Sequence, residues 1–290
     1  MNDPRVLMER DEATGIARIT LNNAERRNCY DPQMRAQLGE HLDDLAADDA
    51  VKVVLLRGEG GIFSTGADMA NAYSWYESSP SDGNGSRRRP SQRRRLTVDR
   101  NTFDFYHQLM GYPKVTVAEV RGFALGGGLE LALMADLAVV ARDTAIGMPA
   151  TRFLGPALGS LHLFFHRLGP VLTRRLLLTG DTIPASAVEH LGVFTEVVDD
   201  ADVAPRAAWL AEKAAKMPAD GIVIAKEAFR IVEQLQAYQG EEVLSYLLHA
   251  FGTNLQFEDG EFNFVKVRAQ HGTKEAFDLR DAHFDVPEPR

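Results

Sequence analysis

The chain has 290 residues, 45% of them hydrophobic, enough for one large domain or a domain with a helical extension. Its formal net charge of -9 argues against nucleic acid as the main partner, because phosphate binding needs a cationic surface. The single cysteine, Cys29, excludes an intrachain disulfide and fits a reducing compartment.

Met1 to Arg5 shows no basic segment followed by an apolar one, so no secretory signal is read and a cytoplasmic location is expected. Val6 to Glu9 and Gly15 to Leu21 read as a hairpin. Asp31 is placed to cap a helix carrying Met34, Leu38, Leu42 and Leu45 at helical spacing. The β-branched run Val51 to Arg57 predicts a buried strand, ended by Gly58 to Gly61 and followed by the turn Phe63-Ser64-Thr65-Gly66-Ala67-Asp68.

Ser78 to Arg95 is of low complexity and carries two arginine triplets, Arg87 to Arg89 and Arg93 to Arg95; it reads as a mobile loop over 77–96. A solvated surface loop, a lure for a phosphate-bearing substrate and an RNA contact are its three readings. No aromatic residue interleaves with the arginines, so a base-stacking platform is unsupported.

Val115 to Val120 predicts a second buried strand, leading to Gly126-Gly127-Gly128-Leu129-Glu130 and an apolar helix. The longest apolar stretch, Leu129 to Ala141, contains Glu130 and Asp136 and is too short to span a bilayer, so no membrane role is expected. Leu137 to Ala141 and Val193 to Val198 read as strands, Thr173 to Leu178 and Ala185 to Leu191 as helices. This alternation places the chain in the α/β class. After Pro205 only helices follow: Arg206 to Lys216, Ile222 to Gln236 and Glu241 to Phe257. A boundary near Asp202 divides a core of residues 1–202 from a helical region of residues 203–290.

The two glycine turns carry the chemistry. Each leaves backbone N–H groups unused, and two such turns facing one another hold one oxygen from both sides, as an oxyanion hole does. The triple glycine is neither a dinucleotide fingerprint nor a P-loop. Glu130, in the first turn of a mostly apolar helix, is either a partner of the helix dipole or a general acid–base. No His/Asp/Glu set has metal-ligand spacing, so no metal is expected.

Five ordered segments resemble the crotonase superfamily, the enoyl-CoA hydratase/isomerase family. Leu21 to Asn28 is similar to its L-N-x-P-x-x-x-N turn, with Ala24 for proline. Phe63 to Asp68 is similar to F-S-A-G-A-D, and Val120 to Glu130 to V-x-G-x-A-x-G-G-G-x-E. Leu178 to Asp181 and Leu191 to Val198 are similar to its later T-G and L-G-L-V-x-x-V segments. The resemblance implies a ClpP-like spiral of ββα units with a C-terminal helical trimerisation region, as a homotrimer or dimer of trimers. It implies an acyl-CoA thioester substrate, with coenzyme A part of the substrate and no other cofactor. It also implies an oxyanion hole from the N–H groups of Ala67 and Gly127, Glu130 as the catalytic carboxylate, and CoA contacts from Arg27, Gly66, Ala67 and Asp68.

The match departs from the family where a second glutamate follows proline: Ala150 stands there, in Ile146-Gly147-Met148-Pro149-Ala150-Thr151-Arg152. Gly159-Ser160 stands where two glycines are usual, and Glu119 reads as a structural partner of Arg121 or Arg152. Candidate acyl-pocket residues are Tyr73, Trp75, Ala150, Arg152 and His162, with Arg152 suited to a carboxylate on the acyl chain. The leading expectation is a hydratase-type lyase acting through a thioester enolate. A one-carboxylate isomerase, decarboxylase or thioester hydrolase is the alternative among enzymes, and a non-catalytic CoA-ester- or RNA-binding protein the alternative of another class.

Overall fold

The computed structural model describes residues 4–69, 76, 90–155, 159–236, 240–252 and 255–286. Strands β1 (Val6–Asp11) and β2 (Ile16–Leu21) form the expected antiparallel hairpin. Helix α1 (Pro32–Ala47) starts at Asp31, whose carboxylate accepts the Met34 N–H at 2.8 Å, and it buries Met34, Leu38, Leu42 and Leu45. The Lys114 ammonium donates to the carbonyls of Leu45 and Asp48 at the far end of α1, where a cation opposes the negative end of the helix dipole.

Strand β3 (Val53–Gly58) runs parallel to β2. Its apolar residues are unbroken rather than alternating because both faces are covered. Val54 and Leu56 face the main core, Val53 and Leu55 a second, smaller one. Helix α2 (Gln92–Met110) follows, capped by Ser91. This corrects the loop expected over 77–96: the second arginine triplet is helical, and Arg95 is buried with its guanidinium over the Tyr76 ring. The first triplet, Arg87 to Arg89, lies outside the described residues.

Strand β4 (Val115–Val120) pairs in parallel with β3. Then come β5 (Phe123–Leu125), α3 (Gly127–Met134), β6 (Leu137–Ala141) and β7 (Ala145–Gly147). Helices α4 (Thr151–Leu154), α5 (Leu161–Arg167) and α6 (Gly169–Thr179) lead to β8 (Thr182–Pro184) and β9 (Glu196–Val198). The segment Ala185–Leu191 is a 3-10 helix. The larger sheet runs β1-β2-β3-β4-β6-β9, and a smaller one runs β5-β7-β8.

Helix α7 (Asp200–Ala215) lies on the larger sheet: Val203, Ala207 and Ala211, one turn apart, are fully buried against Val53, Val117 and Val139. The boundary expected near Asp202 therefore falls inside a helix that belongs to the core, and the change of character comes after Ala215. Helices α8 (Ala219–Leu235), α9 (Glu241–Gly252), α10 (Phe264–His271) and α11 (Thr273–Phe284) complete the chain. Lys226 pairs with Asp136 and ties α8 to the core.

Candidate active site

The early asparagine turn buttresses the first glycine turn. Asn28, at φ +51°, accepts the Asn23 N–H and donates to the carbonyls of Glu59 and Ile62. Ser64 Oγ donates to the Asn28 carbonyl at 2.8 Å and accepts the Gly66 N–H at 3.1 Å. Tyr30 N–H donates to the Gly66 carbonyl, and Asp68 N–H to the Tyr30 carbonyl, each at 2.9 Å. These bonds use the groups on either side of Ala67, so the alternating backbone directs Ala67's own N–H away from Tyr30.

The second turn lies directly against the first. A Cβ on Gly66, at φ +82°, would sit 2.9 Å from Gly127 N and 2.7 Å from the Leu125 carbonyl. Helix α3 begins at Gly127, whose N–H has no carbonyl one turn back to bond. A side chain is impossible at Gly127 without displacement: its Cβ would fall 1.5 Å from Tyr30 Oη and 2.2 Å from Tyr106 Oη.

Ala67, Gly127 and Glu130 line one cavity of about 700 Å³, together with Met148, Ala150 and Gly159. Glu130 is 4% exposed, and Oε1 accepts the Ser160 N–H at 2.8 Å. Burial pushes its carboxyl above the usual carboxylate range, and the hydrogen bond from the Ser160 N–H offsets part of that rise. The Gly159-Ser160 turn thus grips the carboxylate: a Cβ on Gly159 would lie 2.8 Å from Glu130 Oε1. Ala150 also lines the cavity, where its methyl group offers no proton donor or acceptor.

Exposed Arg26, Arg27 and Lys274 line the rim of the same cavity. Asp68 is 3% exposed and holds Arg26 through two bonds of 2.7 Å, while the Arg27 guanidinium lies over the Phe123 ring. Arg26→Ala removes two charge-assisted hydrogen bonds from the buried Asp68 carboxylate. The expected loss is about 2 kcal/mol, less than for a fully buried pair because Arg26 is half in solvent, and is read as a lower Tm.

Several expected pocket residues lie elsewhere. Arg152 does not line the cavity. It faces Asp281 and Asp181 at 3.5 and 3.9 Å, donates to the Thr179 carbonyl and covers the Phe284 ring, so its charge is committed to the α4–α6–α11 junction. His162 is also outside the lining; α5 turns it toward the Gly240 backbone, where a Cβ would meet its ring at 2.8 Å. Tyr73 and Trp75 lie outside the described residues. Glu119 pairs with Arg121 at 3.7 Å, the first of its two expected partners. Cys29 borders the cavity, but burial pushes its thiol up to about 11, which removes it as a nucleophile near neutral pH. Among the described residues no group of three or more His, Cys, Asp or Glu is arranged to hold a metal ion.

The cavity also gathers Tyr30, Arg35, Asp99 and His249, none of which the sequence singled out as pocket residues. For Asp99 a signal existed. Arg95, Asp99, Phe103 and Tyr106 lie at i, i+4, i+8 and i+11, which puts an acid on the buried stripe of α2. His249, on α9, carries no comparable local mark.

Comparison with known proteins agrees with this fold. The enoyl-CoA hydratase/isomerase family model matches residues 11–274. The 1,2-epoxyphenylacetyl-CoA isomerase of Escherichia coli is 30% identical over 76% of this chain and 80% of its own length. A solved enoyl-CoA hydratase/isomerase from Xanthobacter autotrophicus Py2 superposes with a TM-score of 0.81 at 28% identity, over 97% of this chain and 99% of that one. An enoyl-CoA hydratase structure from Mycobacterium smegmatis gives 0.82 at 27%, covering 96% and 93%. The fold and the paired turns define a crotonase-type enzyme that processes acyl-CoA thioesters. The chain belongs to the enoyl-CoA hydratase/isomerase family.

Proposed function

We propose that the chain is a hydratase-type lyase in which Glu130 is the sole acid–base at the reacting carbons. The observation that carries this reading is the placement of Glu130 on the same cavity as the free-facing N–H groups of Ala67 and Gly127. The thioester oxygen of a 2-enoyl-CoA accepts both N–H groups. Glu130 takes a proton from water as the hydroxyl adds to the β carbon, and the electron pair of the double bond moves onto the thioester as an enolate. Protonated Glu130 then returns the proton to the α carbon. The raised Glu130 pKa suits a group that must hold that proton between the two steps. Each hole donor contributes about 2.7–4 kcal/mol to the transition state. Arg27 and Lys274 at the rim suit the phosphates of CoA, and no cofactor beyond CoA itself enters the scheme.

A second reading, double-bond isomerisation, is favoured by Ala150: moving one proton between two carbons needs one carboxylate. Incubation with saturated and enoyl CoA esters in heavy water, read by mass spectrometry, separates the two. Hydration adds one water to an enoyl ester. Isomerisation adds no water and moves the double bond, seen in the product's fragmentation, whether or not deuterium is exchanged. No addition and no moved double bond across the panel overturns both.

The assembly we propose is a homotrimer or a dimer of trimers. Support comes from α8, where Ile224, Phe229, Ile231, Val232 and Leu235 are more than half exposed. The double substitution Ile224→Asp and Ile231→Asp is expected to yield monomers by light scattering, and unchanged mass would remove α8 from the interface. Among the described residues no helix is long and apolar enough to cross a membrane. A cytoplasmic location is the reading in keeping with the single buried thiol of Cys29.

A further inference from the structure

The far end of the cavity is built around a carboxylate that the chemistry above does not use. Asp99 lines the cavity and is 1% exposed. Tyr76 donates its hydroxyl to Asp99 Oδ1 at 2.5 Å, and His249 Nδ1 lies 3.2 Å from the same oxygen. The other oxygen, Oδ2, is buried with no hydrogen-bond partner among the described residues. A buried carboxylate oxygen without a partner is costly, and such groups in a cavity wall are satisfied when a ligand supplies the donor.

Position along α2 says which part of a substrate reaches it. Tyr106 Oη abuts Gly127, so it marks the thioester end. Asp99 lies seven residues earlier on the same helix, about 10 Å along its axis. The group that meets Oδ2 therefore sits several bonds beyond the carbonyl. Arg35 lines the same cavity and its charge acts on Asp99. A second cation there is repelled, which leaves a neutral donor.

We infer that Asp99 is a specificity residue whose Oδ2 accepts a hydrogen bond from a hydroxyl on the distal part of the acyl group, so that the enzyme takes hydroxyl-bearing acyl-CoA esters in preference to plain alkyl ones. The inference rests on the acyl-CoA reading above and narrows its substrate class. A substrate without the hydroxyl leaves the carboxylate unpaired, the arrangement by which polar sites reject apolar analogues.

The test is calorimetric and independent of turnover. Saturated acyl-CoA esters of about six to ten carbons, enough to span that ~10 Å, each with and without a terminal hydroxyl, are titrated into the full-length protein. At the best-fitting length the hydroxylated ester is expected to bind about 100-fold more tightly. That ratio should fall to near one in Asp99→Leu. In Asp99→Asn, which keeps the shape and one acceptor, it should fall about tenfold. Equal affinities within about threefold for every wild-type pair, or a ratio that neither variant changes, overturn this inference alone. Failure of every ester to bind overturns the acyl-CoA reading as well.

Discussion

In Glu130→Gln, turnover falls about a hundred- to ten-thousand-fold while binding of a CoA ester stays within a few-fold of wild type. The amide keeps the side chain's volume and can still accept the Ser160 N–H through its oxygen, so the 2.8 Å contact survives the change. What is lost is the proton carrier. Near-normal turnover in this variant would remove Glu130 from the mechanism and shift attention to other groups on the cavity wall.

The same substitution has a signed effect on stability. Burial raises the Glu130 carboxyl in the folded state above its unfolded value. The folded chain thus binds the extra proton more readily. The associated stability is present in full below the ordinary carboxylate pKa and is lost as pH rises through the folded value. An amide at this position never ionises, so the Glu130→Gln variant should unfold at a higher temperature than wild type at neutral pH. That advantage should disappear below about pH 3, where the wild-type carboxyl is protonated in both states. A Tm difference that does not change between those conditions would contradict the burial argument. A gain of stability with loss of activity is the usual trade at a buried catalytic group.

Gly127→Ala should lower kcat at least about a hundred-fold, the scale of removing one oxyanion donor. The N–H itself remains, but the added methyl falls 1.5 Å from Tyr30 Oη and 2.2 Å from Tyr106 Oη, so the turn or both rings must move. Strain of this kind costs about 1–3 kcal/mol of stability, and circular dichroism would show whether the variant stays folded. A folded Gly127→Ala variant with wild-type kcat would sink the assignment of this turn to the hole.

Much of the frame was legible because its signals are local. The Leu137–Ala141 strand falls where its apolar run predicts, and Asp31 caps α1 as its position before Met34 and Leu38 suggests. Where local signals conflict, the reading slipped. The Arg93 to Arg95 triplet looked like loop because charge dominates the composition, yet Ser91 caps the helix there and α2 buries Arg95 and Asp99 on one stripe. Arg152 looked available for an acyl carboxylate because a guanidinium offers a planar, two-point fit to one. Its partners, Asp181 and Asp281, come from other parts of the chain and turn it away.

Sequence alone carried the α/β class, the two glycine turns and the place of Glu130 at the start of an apolar helix, because turn chemistry and strand or helix periods are written in neighbouring residues, while the gap at Ala150 is visible only through the family resemblance. Folding alone brought the Gly66 and Gly127 turns into contact and seated Tyr30 and Tyr106 against them. It also put Asp99 of α2 beside His249 of α9 on the wall that Glu130 shares. Those meetings depend on how helices pack over a sheet, and helix packing places residues together by shape and burial, with no mark at either position in the chain.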